Sequence, residues 1–273
     1  MKKILTIAAL TGVVLASCSK DKEPQGSQIN IKGLEMTAGY VVWMAGSGTA
    51  SIDWGDGSAA QTLTLVTLAS SDDNYLTNAH KVTPPYTDFT KQYNITITGN
   101  LTGLRVPEFG ITALDLNMST LEVLGCDDNS LTTLDMSKCP VLKFLDCSYN
   151  NLTALDLNKC PMMRYLYCRH NNLAALDVSK CIALTRLDCY DNNLSTLSLA
   201  THAGLSYVDC SNNRLSKASL VGLFEKLPMR LPADGARIWC GGISPTIANP
   251  GYAELTAADK KKAEDKNWEV LND

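Results

Sequence analysis

The sequence predicts a mainly β chain in three parts: a small all-β region, a solenoid of short stacked strands, and a mixed α/β cap. Three observations carry this. Cysteines recur every 21 residues at Cys126, Cys147, Cys168, Cys189 and Cys210, with a second column at Cys139, Cys160 and Cys181. Leucines follow the same period on both sides of each cysteine. Residues 28 to 100, by contrast, alternate β-branched and aromatic runs with Gly, Ser, Asp and Pro clusters. A fixed period of this length marks one supersecondary unit repeated, because a single unit cannot bury its apolar face until neighbours stack on it.

Composition sets the bounds. The chain has 273 residues, 45% hydrophobic and 19% charged, with a net charge of -4. These values fit one or two globular domains and argue against disorder and against a basic nucleic-acid binder. No apolar run reaches the ~20 residues of a membrane-spanning helix.

At the start, Met1-Lys2-Lys3 is a basic lead-in and Ile4 to Leu15 an apolar stretch, which together predict a processed export signal over residues 1–17. Leu15-Ala16-Ser17-Cys18 resembles the bacterial lipobox. That resemblance implies cleavage before Cys18, acylation of its sulfur and membrane attachment through the lipid alone; a bare secretory signal is the alternative. Residues 18–27 read as a tether, being charged and then Pro-, Gly- and Ser-bearing. Its charged start is similar to the export signal of surface lipoproteins in Bacteroidetes, which implies an outer-membrane lipoprotein exposed at the cell surface.

In residues 28–100, Ser51-Ile52-Asp53-Trp54-Gly55-Asp56-Gly57-Ser58 predicts a strand ending in an Asp-Gly turn, and Tyr93 to Gly99 alternates like a second strand. Trp-Gly-Asp-Gly, His80 and the closing Tyr-x-Ile-Thr-Ile strand together resemble the PKD-type immunoglobulin-like β-sandwich, with the family's tyrosine after the histidine displaced to Tyr86. The resemblance makes the Gly-Asp-Gly turn structural; a calcium site at Asp53 and Asp56 is the other reading.

The solenoid is predicted over residues 101–240. Relative to the first cysteine column, position −5 reads Leu121, Leu142, Met163, Leu184 and Leu205, position −2 reads Leu124, Leu145, Leu166, Leu187 and Val208, and position +3 is Asn129, Asn150, Asn171, Asn192 and Asn213. Each Leu-x-Cys is a short strand with alternate side chains inward, stacked on the next coil at roughly 4.8 Å. Leu101, Leu104, Val106 and Ile111 fit the same columns in a first coil one residue short, with Phe109 at the asparagine position, and Ile238-Trp239-Cys240 repeats the strand after an insertion. The unit LxxLxCxxNxLxxLDLxxC resembles a leucine-rich repeat of the short bacterial class. That family implies that the asparagine bonds backbone groups of adjacent coils.

The insertion carries an apolar stretch, Leu220 to Leu227, that predicts a short helix stopped by Pro228. In residues 241–273, Thr256 with Asp259 predicts a helix N-cap, Ala257 to Lys266 a helix, and Trp268 to Leu271 a last extended piece. These form the cap that a solenoid end requires.

The cysteine spacing contains no CxxC pair, so the columns predict buried free thiols acting as small apolar side chains, with no metal. His80, His170 and His202 sit in no catalytic motif, which leaves a non-enzymatic protein without a cofactor as the expectation. Asp135, Asp156 and Asp177, each followed by a lysine three residues on, form a ladder that reads as turn hydrogen bonding, with a calcium ladder as the alternative.

Alternation puts positions −3, −1 and +1 on the side opposite the buried leucines. They read Phe144, Asp146 and Ser148; Tyr165, Tyr167 and Arg169; Arg186, Asp188 and Tyr190; Tyr207, Asp209 and Ser211; then Arg237 and Trp239. Aromatics flanked by arginine and carboxylates suit a recognition surface; cross-strand packing is the competing reading. The ligand-binding candidates are Phe144, Asp146, Tyr165, Tyr167, Arg169, Arg186, Asp188, Tyr190, Tyr207 and Trp239. The expected role is adhesion to an extracellular protein, which the leucine-rich repeat resemblance favours, with a glycan as the alternative partner.

Overall fold

The computed structural model describes residues 4–8, 28–33, 41–67, 79–85, 93–242 and 248–272. Cys18, the tether at 18–27 and Tyr86 lie outside the described residues, as does most of the segment read as an export signal. The chain divides into two compact units, Met1–Cys139 and Pro140–Asp273.

The first unit is built of strands. β1 (Ile4–Ala8), which falls inside the segment read as an export signal, runs antiparallel to β2 (Gln28–Gly33). β3 (Val42–Asp53) pairs antiparallel with both β4 (Gln61–Thr64) and β5 (His80–Val82). β6 (Asn94–Arg105) binds β3 along one edge and β2 along part of the other. Its inward residues Ile95, Ile97 and Leu101 are fully buried, as the two-residue alternation requires, and Leu104, out of phase with them past a register shift opposite Ala45 and Gly46, is buried as well. β7 (Ile111–Asn117) lies against β2, and β8 (Val123–Gly125) runs parallel to the end of β6.

Position 100/101, where the sequence pattern changes, falls inside β6. The strand continues because its first half completes the N-terminal sheet while its second half, Gly103 to Arg105, is already the first coil's strand, in register with Val123 to Gly125. Phe109 is buried at the predicted asparagine position, and its N–H donates to Asn129 Oδ1 of the next coil at 3.0 Å. The turn after β3 is tight around Trp54, which is buried and donates Nε1 to Gln61. Gly55 has φ of 65°, and a Cβ there would lie 1.6 Å from the Asn94 carbonyl oxygen, so the turn accepts only glycine. The Asp53 and Asp56 carboxylates accept the backbone N–H groups of Gly55 and Ser58, each at 2.9 Å, which gives both acids a structural task in the turn.

The second unit is a β-solenoid. Its front sheet begins with β9 (Phe144–Asp146) and β10 (Tyr165–Tyr167), parallel and paired at the 21-residue step. The back of the next coil carries β11 (Ala175–Asp177), and the front continues with β12 (Arg186–Asp188). β13 (Thr196–Ser198) pairs with β11 to make a two-stranded back sheet, and β14 (Tyr207–Asp209) extends the front. Between the two sheets Leu145, Leu166, Leu187 and Val208 are fully buried, as are Leu152, Leu173, Leu194 and Leu215.

The insertion forms α1 (Lys217–Lys226), opened by Ser216, whose Oγ accepts from Ser219 N–H at 3.2 Å. The helix starts three residues before the predicted apolar stretch because this polar cap, not the first leucine, sets its end. β15 (Ala236–Trp239) then joins the front sheet beside β14. α2 (Ala257–Glu264) carries the predicted Thr256–Asp259 capping box, and β16 (Trp268–Leu271) pairs parallel with β15 as the sheet's last strand. Lys266 Nζ donates to the carbonyls of Phe224, Glu225 and Leu227 at 2.8–3.0 Å, satisfying the C-terminal end of α1.

Polar ladders hold the coils. Asn171 Oδ1 accepts from Leu152 N–H of the preceding coil at 2.9 Å, while Nδ2 donates to the Cys147, Cys168 and Arg169 carbonyls. Asn192 and Asn213 repeat this pattern one and two coils on. The last rung is Asn249, nine residues after Cys240: its Oδ1 accepts from Leu215 N–H at 2.8 Å and its Nδ2 donates to the Cys210 and Cys240 carbonyls. All nine described cysteines are free and buried, in line with the column reading. Burial pushes the Cys160 thiol up to about 11 and Cys181 to about 12, and raises Cys168 and Cys189 as well, so they stay protonated and unreactive near neutral pH.

Candidate binding surface

The outward face of the second unit's front sheet is set by strand alternation, so its side chains come in rows that cross the strands. One stack runs diagonally over the sheet. Phe144 lies 5.6 Å from Tyr167, Arg186 sits over Tyr167 at 5.7 Å and over Tyr207 at 3.6 Å, and Tyr207 meets Trp239 at 4.8 Å, all to ring centroids. Tyr165 flanks the stack beside Phe144 and carries Arg164 over its ring. Tyr165, Tyr167, Arg186, Tyr207 and Trp239 are each half-buried, so they pack on one another and still present an edge.

Phe144 departs from the expectation. It is 1% exposed, in contact with the rings of Tyr165 and Tyr167, and belongs to the packing beneath the surface rather than to the surface. Asp188 is likewise only 5% exposed. Its carboxylate accepts from Tyr190 N–H and faces Arg169 Nη1 at 4.0 Å; burial raises its pKa against the pull of these donors. Asp146 and Asp209 accept from Ser148 and Ser211 N–H, each at 3.1 Å. The acidic row therefore closes the turn after β9, β12 and β14, a role the residue pattern alone did not reveal.

A second cluster lies at the turn end of the strands. Tyr149, His170, Asp191 and Asn212 occupy the left-handed position just before the ladder asparagine, with φ of 50–53°. At this turn Tyr149 is exposed, His170 and Asp191 are half-buried and Asn212 is buried. Tyr149 and His170 stack at 4.3 Å, His170 meets the edge of Tyr190 at 5.2 Å, and His170 Nδ1 lies 2.7 Å from Asp191 Oδ2. Arg169 covers the other neighbour, Tyr149, at 5.5 Å, and Tyr190 Oη accepts from Asn212 Nδ2 at 2.8 Å. The structure thus brings Arg169, Asp188 and Tyr190 together with Tyr149 and His170, which the reading of positions −3 to +1 left out. Extending the columns by one residue would have shown them.

Two other groups resolve as structure. Asp135, Asp156 and Asp177 accept the N–H groups of Ser137, Asn158 and Ser179 at 2.8–2.9 Å, and these bonds hold Asp135 and Asp177 below the usual carboxylate range. His202 is fully buried and occupies the second cysteine column, 21 residues after Cys181. Its Nε2 donates to the Val178 carbonyl at 3.0 Å, the equivalent of the Cys181 Sγ contact with Leu157 O at 3.9 Å. We expect His202→Cys to lose less stability than His202→Ala, because a thiol can remake that bond. Chemical denaturation measures this, and equal losses would show that ring volume alone is what the column needs.

Comparison with protein-family models finds no match, and no curated protein matches the sequence. Among solved structures, an internalin, InlF of Listeria monocytogenes, aligns over 63% of this chain and 48% of its own at 15% identity, with a TM-score of 0.46. The functional domain of InlJ from Listeria monocytogenes, described as including a cysteine ladder, aligns over 57% of this chain and 53% of its own at 22% identity, with a TM-score of 0.24. The chain spans about half the length of these structures.

Proposed function

We propose that this is a non-enzymatic, lipid-anchored surface protein that binds a protein partner through the outward face of its leucine-rich repeat sheet. Residues 28–100 are read as a PKD-like, immunoglobulin-like sandwich preceding the repeats in the chain, and acylated Cys18 holds the chain at the bacterial outer membrane. The observation that carries the reading is the half-buried stack of Tyr167, Arg186, Tyr207 and Trp239 beside the cluster of Tyr149, Arg169 and His170. Aromatic and arginine side chains held rigid by one another lose little entropy on docking, which is the composition and state of interface anchors.

The test is binding of the purified chain to a panel of extracellular proteins and glycans, with Tyr167→Ala and Arg169→Ala in parallel. A protein hit should weaken by about tenfold or more in Tyr167→Ala, the cost of losing a central anchor. A glycan hit lost in Trp239→Ala would favour the second reading, in which the Tyr207–Trp239 pair is a platform for a sugar ring. Binding unchanged in all three variants would remove the site from this face. For the anchor, Cys18→Ala should release the protein from the membrane fraction and abolish incorporation of labelled fatty acid; retention of both would refute lipidation at this residue.

A further inference from the structure

The two arginines at the centre of the outward face have unlike surroundings. Arg169 is half exposed and faces Asp188 at 4.0 Å. Arg186, on the adjacent strand, forms no ion pair among the described residues. Its guanidinium lies 3.6 Å from the centre of the Tyr207 ring on one flanking strand and 5.7 Å from that of Tyr167 on the other, and its Nε is buried without a hydrogen-bond partner. The nearby acids are already engaged. Asp188 takes the Tyr190 N–H and Arg169, and Asp209 takes both the N–H and the hydroxyl of Ser211.

A cation taken partly out of water, with Asp188 attracting it only from beyond ion-pair distance, is costly to the free protein, and the cost is recovered when an anion pairs with it directly. Stacking between two rings also fixes the plane of the guanidinium, so its paired N–H donors are aimed before the ligand binds. A carboxylate matches that fork with two parallel hydrogen bonds. We propose that Arg186 reads a carboxylate on an acidic segment of the protein partner, with Tyr167 and Tyr207 as the clamp that orients it. This rests on the protein-binding reading of the face given above and adds the chemistry of the partner to it.

The experiment follows the Arg186 Nε–Hε resonance of the full-length, nitrogen-labelled chain by NMR, assigned from its loss in Arg186→Lys. The probes are acetylated tetraglutamate, tetralysine and a galacturonate oligomer. Tetraglutamate should move the resonance saturably, tetralysine should not, and Arg186→Lys, which keeps the charge but loses the planar fork, should bind tetraglutamate at least tenfold more weakly. Lys159→Gln, which changes an exposed lysine in a back turn of the solenoid, is the second variant and should retain the saturable shift. The proposal is overturned if tetraglutamate leaves the resonance unmoved, or if it binds Arg186→Lys as well as the parent. A still resonance together with a protein partner that needs Tyr167 would sink the carboxylate assignment alone. A shift with galacturonate and none with tetraglutamate would sink both this proposal and the protein-binding reading.

Discussion

Asn171→Ala is expected to destabilise the second unit by about 2–4 kcal/mol, because each buried backbone group left unpaired costs about 1–3 kcal/mol. The amide serves two coils at once: Oδ1 accepts from Leu152 N–H, and Nδ2 donates to the carbonyls of Cys147, Cys168 and Arg169. Asn171 is 7% exposed, so alanine would leave a polar hole with little access to solvent. At roughly 2–4 °C per kcal/mol for a chain of this size, the melting temperature should fall by about 5–15 °C. Asn171→Asp separates the two halves of the contact, since a carboxylate keeps the acceptor for Leu152 and loses every donor. We expect it to be no better than alanine, because it sets a negative charge against three carbonyl oxygens. An unchanged melting temperature in Asn171→Ala would mean that water takes over the rung and that the ladder does not hold the coils together.

The same ladder shows what a sequence can and cannot disclose. Residues that repeat with the coil were legible: the front strands pair at the 21-residue step, the leucine and cysteine columns are buried, and Val106 is buried at the head of the first cysteine column, one residue short of the period. Asn249 was not legible, because the insertion after Cys240 moves the closing rung from position +3 to +9 while leaving its bonds the same. His202 escaped for a related reason: it keeps the place of a cysteine and its carbonyl contact, but shares none of its composition. At the candidate site, alternation correctly placed Tyr167, Arg186 and Tyr207 outward. It could not foresee that Phe144 would be buried in ring contacts there, because alternation decides which face a side chain leaves from and not how deeply it packs. Tyr149 and His170 depend on a left-handed backbone position that no two-residue period describes.

Trp268→Ala should have the larger effect on the solenoid's end, about 3–5 kcal/mol for removal of a buried indole. Trp268 is 2% exposed, begins β16, and donates Nε1 to the Pro228 carbonyl at 2.8 Å. Its neighbours tie the same strand to the inserted segment: Asn267 Nδ2 donates to Arg230 O, and Lys266 caps α1 through three carbonyls. The indole is therefore the apolar centre of a set of polar ties that are individually weak and exposed to water at their rims. Without it, β16 should detach and leave the backbone edge of β15 unpaired, a template for association with other chains. We expect a lower denaturation midpoint together with concentration-dependent aggregation in size-exclusion chromatography. Trp268→Phe, which keeps one ring of the indole but loses the rest of it and the N–H to Pro228, should cost about 1–3 kcal/mol and stay monodisperse if the parent does. Should Trp268→Ala unfold at the parental midpoint, the polar ties alone would be holding the cap, and the edge of β15 would be protected by Lys266 and Asn267 rather than by burial.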